Sequence, residues 1–135
     1  MESVRDILSA RGYSSVNDLD VNDRIEIDLD SEAQMPLTIE KIGEYEDGDV
    51  RGSRLSVAHY YTQRGDLMSD PEVVFDAPHD DEGEWVPVRY VQHPHLEQYD
   101  LDGLGADVQE FVAMWDENLR RQGYVDAAHA EGDTR

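Results

Sequence analysis

Between Arg24 and Asp30 the chain alternates strictly, with Ile25, Ile27 and Leu29 set against Glu26, Asp28 and Asp30. Successive side chains of a strand point to opposite faces, so this stretch predicts a strand buried on one face and wet on the other. Further strands are predicted at LTIEKI, RLSVAHYYTQ, PEVVFDA and EWVPVRYVQ, divided by the turn-rich segments SEAQMP, EYEDGDVRGS, RGDLMSD and PHDDEGE. The third and fourth read as an antiparallel hairpin, with Gly65 supplying a positive φ in the turn and Pro71 at an edge or a bulge. Pro87 has no N–H to donate, which places the fifth strand at the sheet edge.

At both ends the period changes from two to between three and four. Val4, Ile7 and Leu8 form one stripe, with Ser3 as the expected N-cap and Gly12 as the stop. Leu104, Val108, Phe111, Val112, Trp115 and Leu119 predict an amphipathic helix over 105–122 that ends at Gly123. SSVNDLDVND is turn-rich, with a single helical turn expected around Val16 to Leu19. Residues 125–135 carry little apolar surface and are expected to be a disordered tail to a single domain at 1–124. The fold class expected is α+β. A mostly antiparallel sheet of about 4–5 strands carries a short N-terminal helix, and a long C-terminal helix packs on one of its faces.

Composition changes this picture in one respect. Among 135 residues there are 32 acids and 11 bases, a formal charge of 11 − 32 = −21. A globule of this mass exposes roughly 7,000 Å², hence one net charge per ~340 Å² at a spacing of ~18 Å. The screening length is ~10 Å at 0.1 M salt and ~3 Å at 1 M, so self-repulsion matters in dilute buffer and fades in molar salt. Ten of the eleven bases are Arg, Lys41 is the single Lys, and Asp outnumbers Glu by 19 to 13, with acids in every segment. That diffuse pattern is the habit of extreme halophiles; a mimic of a polyanion concentrates its acids in one stripe. No basic cluster exceeds Arg120-Arg121, which argues against direct nucleic-acid binding through a basic patch. No apolar run approaches a membrane span and the first residues do not resemble a signal peptide, so a cytoplasmic location and no membrane association are expected. With no Cys there is neither a thiolate nucleophile nor a cysteine zinc site.

The densest polar and aromatic stretch is HYYTQRGDLMSDPE at 59–72. His59, Asp66, Asp70 and Glu72 offer an imidazole and three carboxylates around one hairpin, a set suited to a divalent cation or to acid–base work. The competing reading is structural. Strand parity puts His59 in line with Leu55 and Val57, Asp66 follows the turn Gly65, and Asp70 precedes Pro71, where Asp commonly caps backbone N–H groups. Tyr61 and Trp85 complete the candidate binding cluster, Trp85 as the aromatic expected to be exposed, whereas Trp115 belongs to the helix stripe. His93 and His95 share a side of an extended segment but have no third ligand, and the acidic run at 79–82 reads as a solvated loop. RGD at 64–66 reads as a turn, and GLGADV lacks the third glycine of a dinucleotide loop. No catalytic residue, metal or cofactor is assigned.

Pro36, Leu37 and Glu40, then His59, Tyr60, Tyr61, Gly65, Asp66, Leu67, Met68, Asp70, Pro71 and Glu72, then Trp85, Pro87 and Tyr90 form a pattern across about residues 35–112. This pattern resembles a small family of unknown function encoded by bacterial and archaeal plasmids and phages, marked by an HYYxQxGDLMxDPE hairpin. The resemblance implies an accessory protein of a mobile element and supplies no catalytic residue. Three readings stand at this point. The first is a soluble, non-enzymatic interaction protein of a mobile element or its halophilic host, acting on a protein partner. The second is a metal-dependent hydrolase or nuclease using His59 and the hairpin carboxylates. The third is an acidic DNA mimic.

Overall fold

The computed structural model describes the chain at residues 1–29, 35–63, 66–79, 83–92, 96–100 and 103–133, with side chains at all of these except 47, 61–63, 66–70, 96, 97, 99 and 130–133. Six strands form one antiparallel sheet in chain order: β1 (Arg24–Ile27), β2 (Leu37–Asp47), β3 (Val50–Gln63), β4 (Asp66–Pro78), β5 (Val86–Gln92) and β6 (Leu96–Tyr99). Helices α1 (Glu2–Ala10), α2 (Ala106–Arg121) and α3 (Tyr124–Asp133) pack against one another and on one face, which makes this a two-layer α+β fold. The core lies between the layers. Ile25, Ile27, Leu37, Ile39, Leu55, Val57, Val73 and Phe75 come from the inner rows of the strands, and Val4, Ile7, Leu8, Val108, Trp115 and Leu119 come from the helices.

The sheet departs from regular register at three bulges, each with a consequence for a particular side chain. In β2 the register shifts between Lys41 and Gly43, so that Glu44 pairs with the inner-row Ser53. Period-two parity alone would have sent Glu44 to the outer face; the bulge turns it toward Lys41. Lys41 continues the buried row of Leu37 and Ile39 and is 1% exposed. Its ammonium donates to the Leu19 carbonyl at 2.8 Å and to Glu44 Oε1 at 2.9 Å, bonds that offset the cost of taking a charge out of water. The Lys41 hydrogen bond also holds the Glu44 carboxyl below the usual carboxylate range.

In the β3–β4 ladder, Ala58 faces Glu72 while Tyr60 faces Ser69, so the single residue His59 opposes the two residues Asp70 and Pro71. Pro71, with no N–H for the ladder, therefore sits in a bulge of an interior strand, as its chemistry requires. The turn at 64–65 lies outside the described residues; Gln63 pairs with Asp66 on either side of it. In β5 the extra residue is Val88, between Arg89, which faces Val74, and Pro87, which faces Phe75. The expectation that Pro87 marks an edge strand is corrected here. β5 lies between β4 and β6; the β6 ladder spans Arg89 to Gln92, and beyond it the Val88 and Pro87 carbonyls accept from the N–H groups of Asp100 and Leu104, each at 2.8 Å.

Two further expectations are corrected at the termini. Ser3 is not the N-cap of α1: the helix begins at Glu2, and the carboxylate of Asp116 on α2 accepts from the backbone N–H groups of Glu2 at 3.1 Å and Ser3 at 2.9 Å, and from the Ser3 hydroxyl. Gly12 does stop the helix, at φ +95°. The segment expected to be a disordered tail is α3 through Asp133; Gly123 at φ +99° turns the chain out of α2, and Tyr124, Val125 and Ala128 are buried. Three small or apolar residues on one helical face suffice once α1 and α2 supply the opposite wall.

Candidate functional site

Of the hairpin residues singled out in the sequence, the two with described side chains, His59 and Glu72, do not share a face. His59 stands in the inner row of β3, 7% exposed, with its ring 5.7 Å from that of Trp115 and 5.3 Å from that of Tyr124. Its Nδ1 lies 3.3 Å from the Pro36 carbonyl, so the imidazole is a hydrogen-bonded member of the core. Glu72 faces Ala58, whose parity is opposite to that of His59, and its carboxylate lies on the outer face of the sheet. A sheet thus separates the imidazole from the carboxylate, and the two cannot ligate one ion. The side chains of Tyr61, Asp66 and Asp70, and residues 93–95 with both histidines of the i, i+2 pair, lie outside the described residues. Among the described residues no group of three or more His, Asp or Glu side chains forms a metal-binding cluster.

Glu72 is instead the centre of a polar network on the outer face. It accepts from the Ser56 hydroxyl at 2.5 Å and from the Tyr60 hydroxyl at 3.4 Å, with Arg89 at 3.9 Å. Beside it Arg54 meets Asp76 through two hydrogen bonds, Nε at 2.7 Å and the second nitrogen at 3.3 Å, the forked geometry that makes guanidinium–carboxylate pairs specific. Further along the face, Arg24 lies 3.5 Å from Glu26. Burial pushes the Tyr60 phenol above its ordinary range, and the negative charge of Glu72 adds to the shift, so the phenol is a neutral donor near pH 7. A carboxylate already engaged by a hydroxyl, a phenol and a guanidinium holds the face together and presents a pre-formed pattern of donors and acceptors for contact.

Between these charged side chains lies an apolar floor. Ala58, Val74 and Val91 are at most 2% exposed and belong to the outer rows of β3, β4 and β5. A sheet face turned to water normally carries polar residues at such positions. The signal was present in the sequence as the consecutive pairs Val73-Val74 and Tyr90-Val91, which break the alternation seen in Arg24 to Ile27.

Trp85, expected at the surface, is 8% exposed, because the chain enters β5 beneath α1. Its ring packs 5.7 Å from Phe75 and under the Arg5 guanidinium at 5.4 Å. Arg5 also donates to the Gly83 carbonyl. Trp85 lines two cavities of about 270 Å³ and 310 Å³, the first shared with Arg5, Tyr13 and Ser14 among others, the second with Met1, Gln109 and Val112.

The family model described as Domain of unknown function (DUF6908) matches residues 4–125. The chain belongs to this family. The match runs from Val4, the first buried apolar residue of α1, to Val125 in the opening turn of α3, so the DUF6908 unit takes in α1, the sheet and α2 and stops as α3 begins. No curated protein and no solved structure gives a match.

Proposed function

We propose that this member of the DUF6908 family is a non-enzymatic interaction domain, adapted to a concentrated-salt cytoplasm and carried by a mobile element or its host. The observation that carries the reading is where the cations are. The chain has one lysine, and it is inside. Every positively charged side chain among the described residues other than Lys41 is an arginine, and several of these are paired: Arg24 with Glu26, Arg51 with Glu46, Arg54 with Asp76, Arg120 with Asp6. Described acids stand on α1, on the loop before β1, on β1, β2 and β4, before β5, and on α2 and α3. A mimic of a nucleic acid needs a row of carboxylates; this distribution supports a general solvation device instead. The plasmid and phage association is supported by the hairpin pattern from His59 to Glu72.

The size of the salt effect follows from the structure. The surface of 8027 Å² divided among 21 net charges leaves about 380 Å² for each, a spacing of ~20 Å. With six neighbours at that distance, each charge carries ~0.2 kcal/mol of repulsion at 0.1 M salt and almost none at 1 M. Summed once per pair, the chain holds ~2 kcal/mol of repulsion that molar salt removes. For a domain of this length that corresponds to a rise in Tm of ~5 °C, somewhat less than the full conversion because the denatured chain also repels itself. Calorimetry in KCl from 0.1 M to above 1 M is the test; a Tm that stays flat or falls overturns the salt-adapted reading.

A further inference from the structure

We propose that the cleft between α1 and the segment from Tyr13 to Val16 binds a small aromatic carboxylate, held by the indole N–H of Trp85 and the charge of Arg5. The observation that points to a ligand is an orphaned donor. Trp85 is 8% exposed, and its Nε1 is buried with no hydrogen-bond partner. A buried N–H without an acceptor carries an uncompensated desolvation cost, and water cannot relieve it here because the atom is closed to solvent. An acceptor brought to this nitrogen removes that cost, so the site favours a molecule that carries one.

Trp85 lines two cavities, and their charges decide between them. The one of about 310 Å³ carries Glu84 and Asp116 and no Lys or Arg side chain, the wrong sign for an added acceptor. The one of about 270 Å³ carries Arg5, and its single acid, Asp6, is bonded to Arg120 at 2.5 Å. Arg5 is fixed beside the indole: its guanidinium lies 5.4 Å over the Trp85 ring and donates to the Gly83 carbonyl. A positive charge and an unpaired donor therefore stand together, which suits a carboxylate better than a neutral carbonyl. The rest of the lining sets the body of the ligand. Leu8, Val16 and Tyr13 supply apolar and aromatic walls. A cavity of ~150 Å³ accommodates benzene, so about 270 Å³ accommodates one ring with a short arm. In the complex the ring lies against these walls, and the carboxylate takes the Trp85 N–H as the indole edge turns toward the cavity. The acidic excess elsewhere does not bar an anion in molar salt, where the screening length is ~3 Å.

The test uses the full chain, labelled with nitrogen-15, in ~1 M KCl, with phenylacetate as the probe. The chain has two tryptophans, so the indole region of the nitrogen–proton spectrum holds two peaks, and Trp115→Phe assigns them. Phenylacetate is expected to move the Trp85 indole proton downfield, the direction of a newly formed hydrogen bond, and to saturate with a Kd below ~1 mM. Phenylacetamide keeps the ring and the acceptor without the charge, and acetate keeps the charge without the ring; each is expected to bind at least ~tenfold more weakly. Arg5→Gln is expected to weaken phenylacetate by about the same factor and to leave phenylacetamide unchanged. Because Arg5 also braces Gly83 and Trp85, a second variant leaves it in place. Ser9 is exposed on α1 and lines the cleft, so Ser9→Phe fills the cavity and is expected to abolish the shift. A Trp85 peak unmoved by ~20 mM phenylacetate, an equal affinity for acetate, an affinity indifferent to Arg5→Gln in the folded variant, or a shift that survives Ser9→Phe overturns the proposal. None of these outcomes bears on the melting curve in KCl, so the salt-adapted reading and this one fail separately.

Discussion

In a chain carrying 21 excess negative charges, removing an unengaged carboxylate from the surface relieves repulsion, and at Asp116 the sign reverses. Asp116 on α2 caps α1 from 113 residues away, accepting from the backbone N–H groups of Glu2 and Ser3 and from the Ser3 hydroxyl. The first N–H groups of a helix have no partner within it, and the helix dipole favours a negative charge beside them. Asp116→Ala removes the cap, ~1 kcal/mol, and the charge–dipole attraction, ~0.5 kcal/mol. It also strands the Ser3 hydroxyl, on a residue 1% exposed, for ~1 kcal/mol more. Against that stands ~0.2 kcal/mol of relieved repulsion at 0.1 M salt. The expected net loss is ~2 kcal/mol, a large share of the stability of an ordinary domain. Asp116→Asn keeps an acceptor of the same shape and is expected to lose only ~0.5 kcal/mol.

Glu110→Gln on the exposed side of the same helix supplies the contrast, with an expected gain of ~0.2 kcal/mol at 0.1 M KCl that vanishes at 1 M. Urea denaturation at both salt concentrations measures all three variants against the parent chain. Hydrogen exchange at the first turn of α1 separates loss of the cap from a general weakening, since only the former raises exchange there selectively. If Asp116→Ala proves as stable as the parent, or shifts stability in the same direction as Glu110→Gln, the inter-helix cap is not what anchors α1.

Two further outcomes follow from the same structure. Burial raises the phenols of Tyr60 and Tyr124 above their ordinary value of 10.0. A group with a raised folded-state value contributes stability that is complete below the unfolded value and is lost as pH climbs through the folded one, so thermal stability is expected to fall from about pH 10 upward, and Tyr60→Phe combined with Tyr124→Phe to flatten that fall. A Cβ built on Gly52 would stand 2.2 Å from the Tyr45 ring, so Gly52→Ala should cost ~1 kcal/mol by driving the ring aside, and nothing measurable when Tyr45 is already Ala; equal costs in both backgrounds by urea denaturation would assign the effect to the backbone.

Local rules carried the sequence reading as far as contacts between neighbours reach. The alternation at Arg24 to Ile27 and the three-to-four spacing from Val108 to Leu119 fix the faces of β1 and α2, because the same side chains that set the period meet the core. The bulge at Pro71 was legible for a similar reason: a missing N–H is a property of the residue alone. Errors fell where the partner is distant in the chain. Ser3 satisfies the local rule for an N-cap, yet the cap comes from Asp116. Residues 125–135 look too polar to fold when taken alone, yet Tyr124–Asp133 is a helix because α1 offers a wall for Val125 and Ala128. Within the candidate cluster, register separates His59 from Glu72: Glu72 pairs with Ala58, so it stands on the far side of the sheet from the His59 ring, which lies among Trp115 and Tyr124.

Lys41 joins these threads. The single lysine stands where its ammonium is out of contact with the solvent, and the fold provides that place through a bulge that turns Glu44 back toward it. On the outer face of the sheet the arginines share their forks with carboxylates, Arg54 with Asp76 and Arg89 near Glu72. In concentrated salt a lone surface charge contributes little, because a screening length of ~3 Å is shorter than the distance between neighbouring side chains. Contact pairs at 2.7 Å survive that screening. Under the proposed salt adaptation, the polar bonds that still count are therefore direct guanidinium–carboxylate contacts, and Arg54 with Asp76 over the shielded Val74 is one of them.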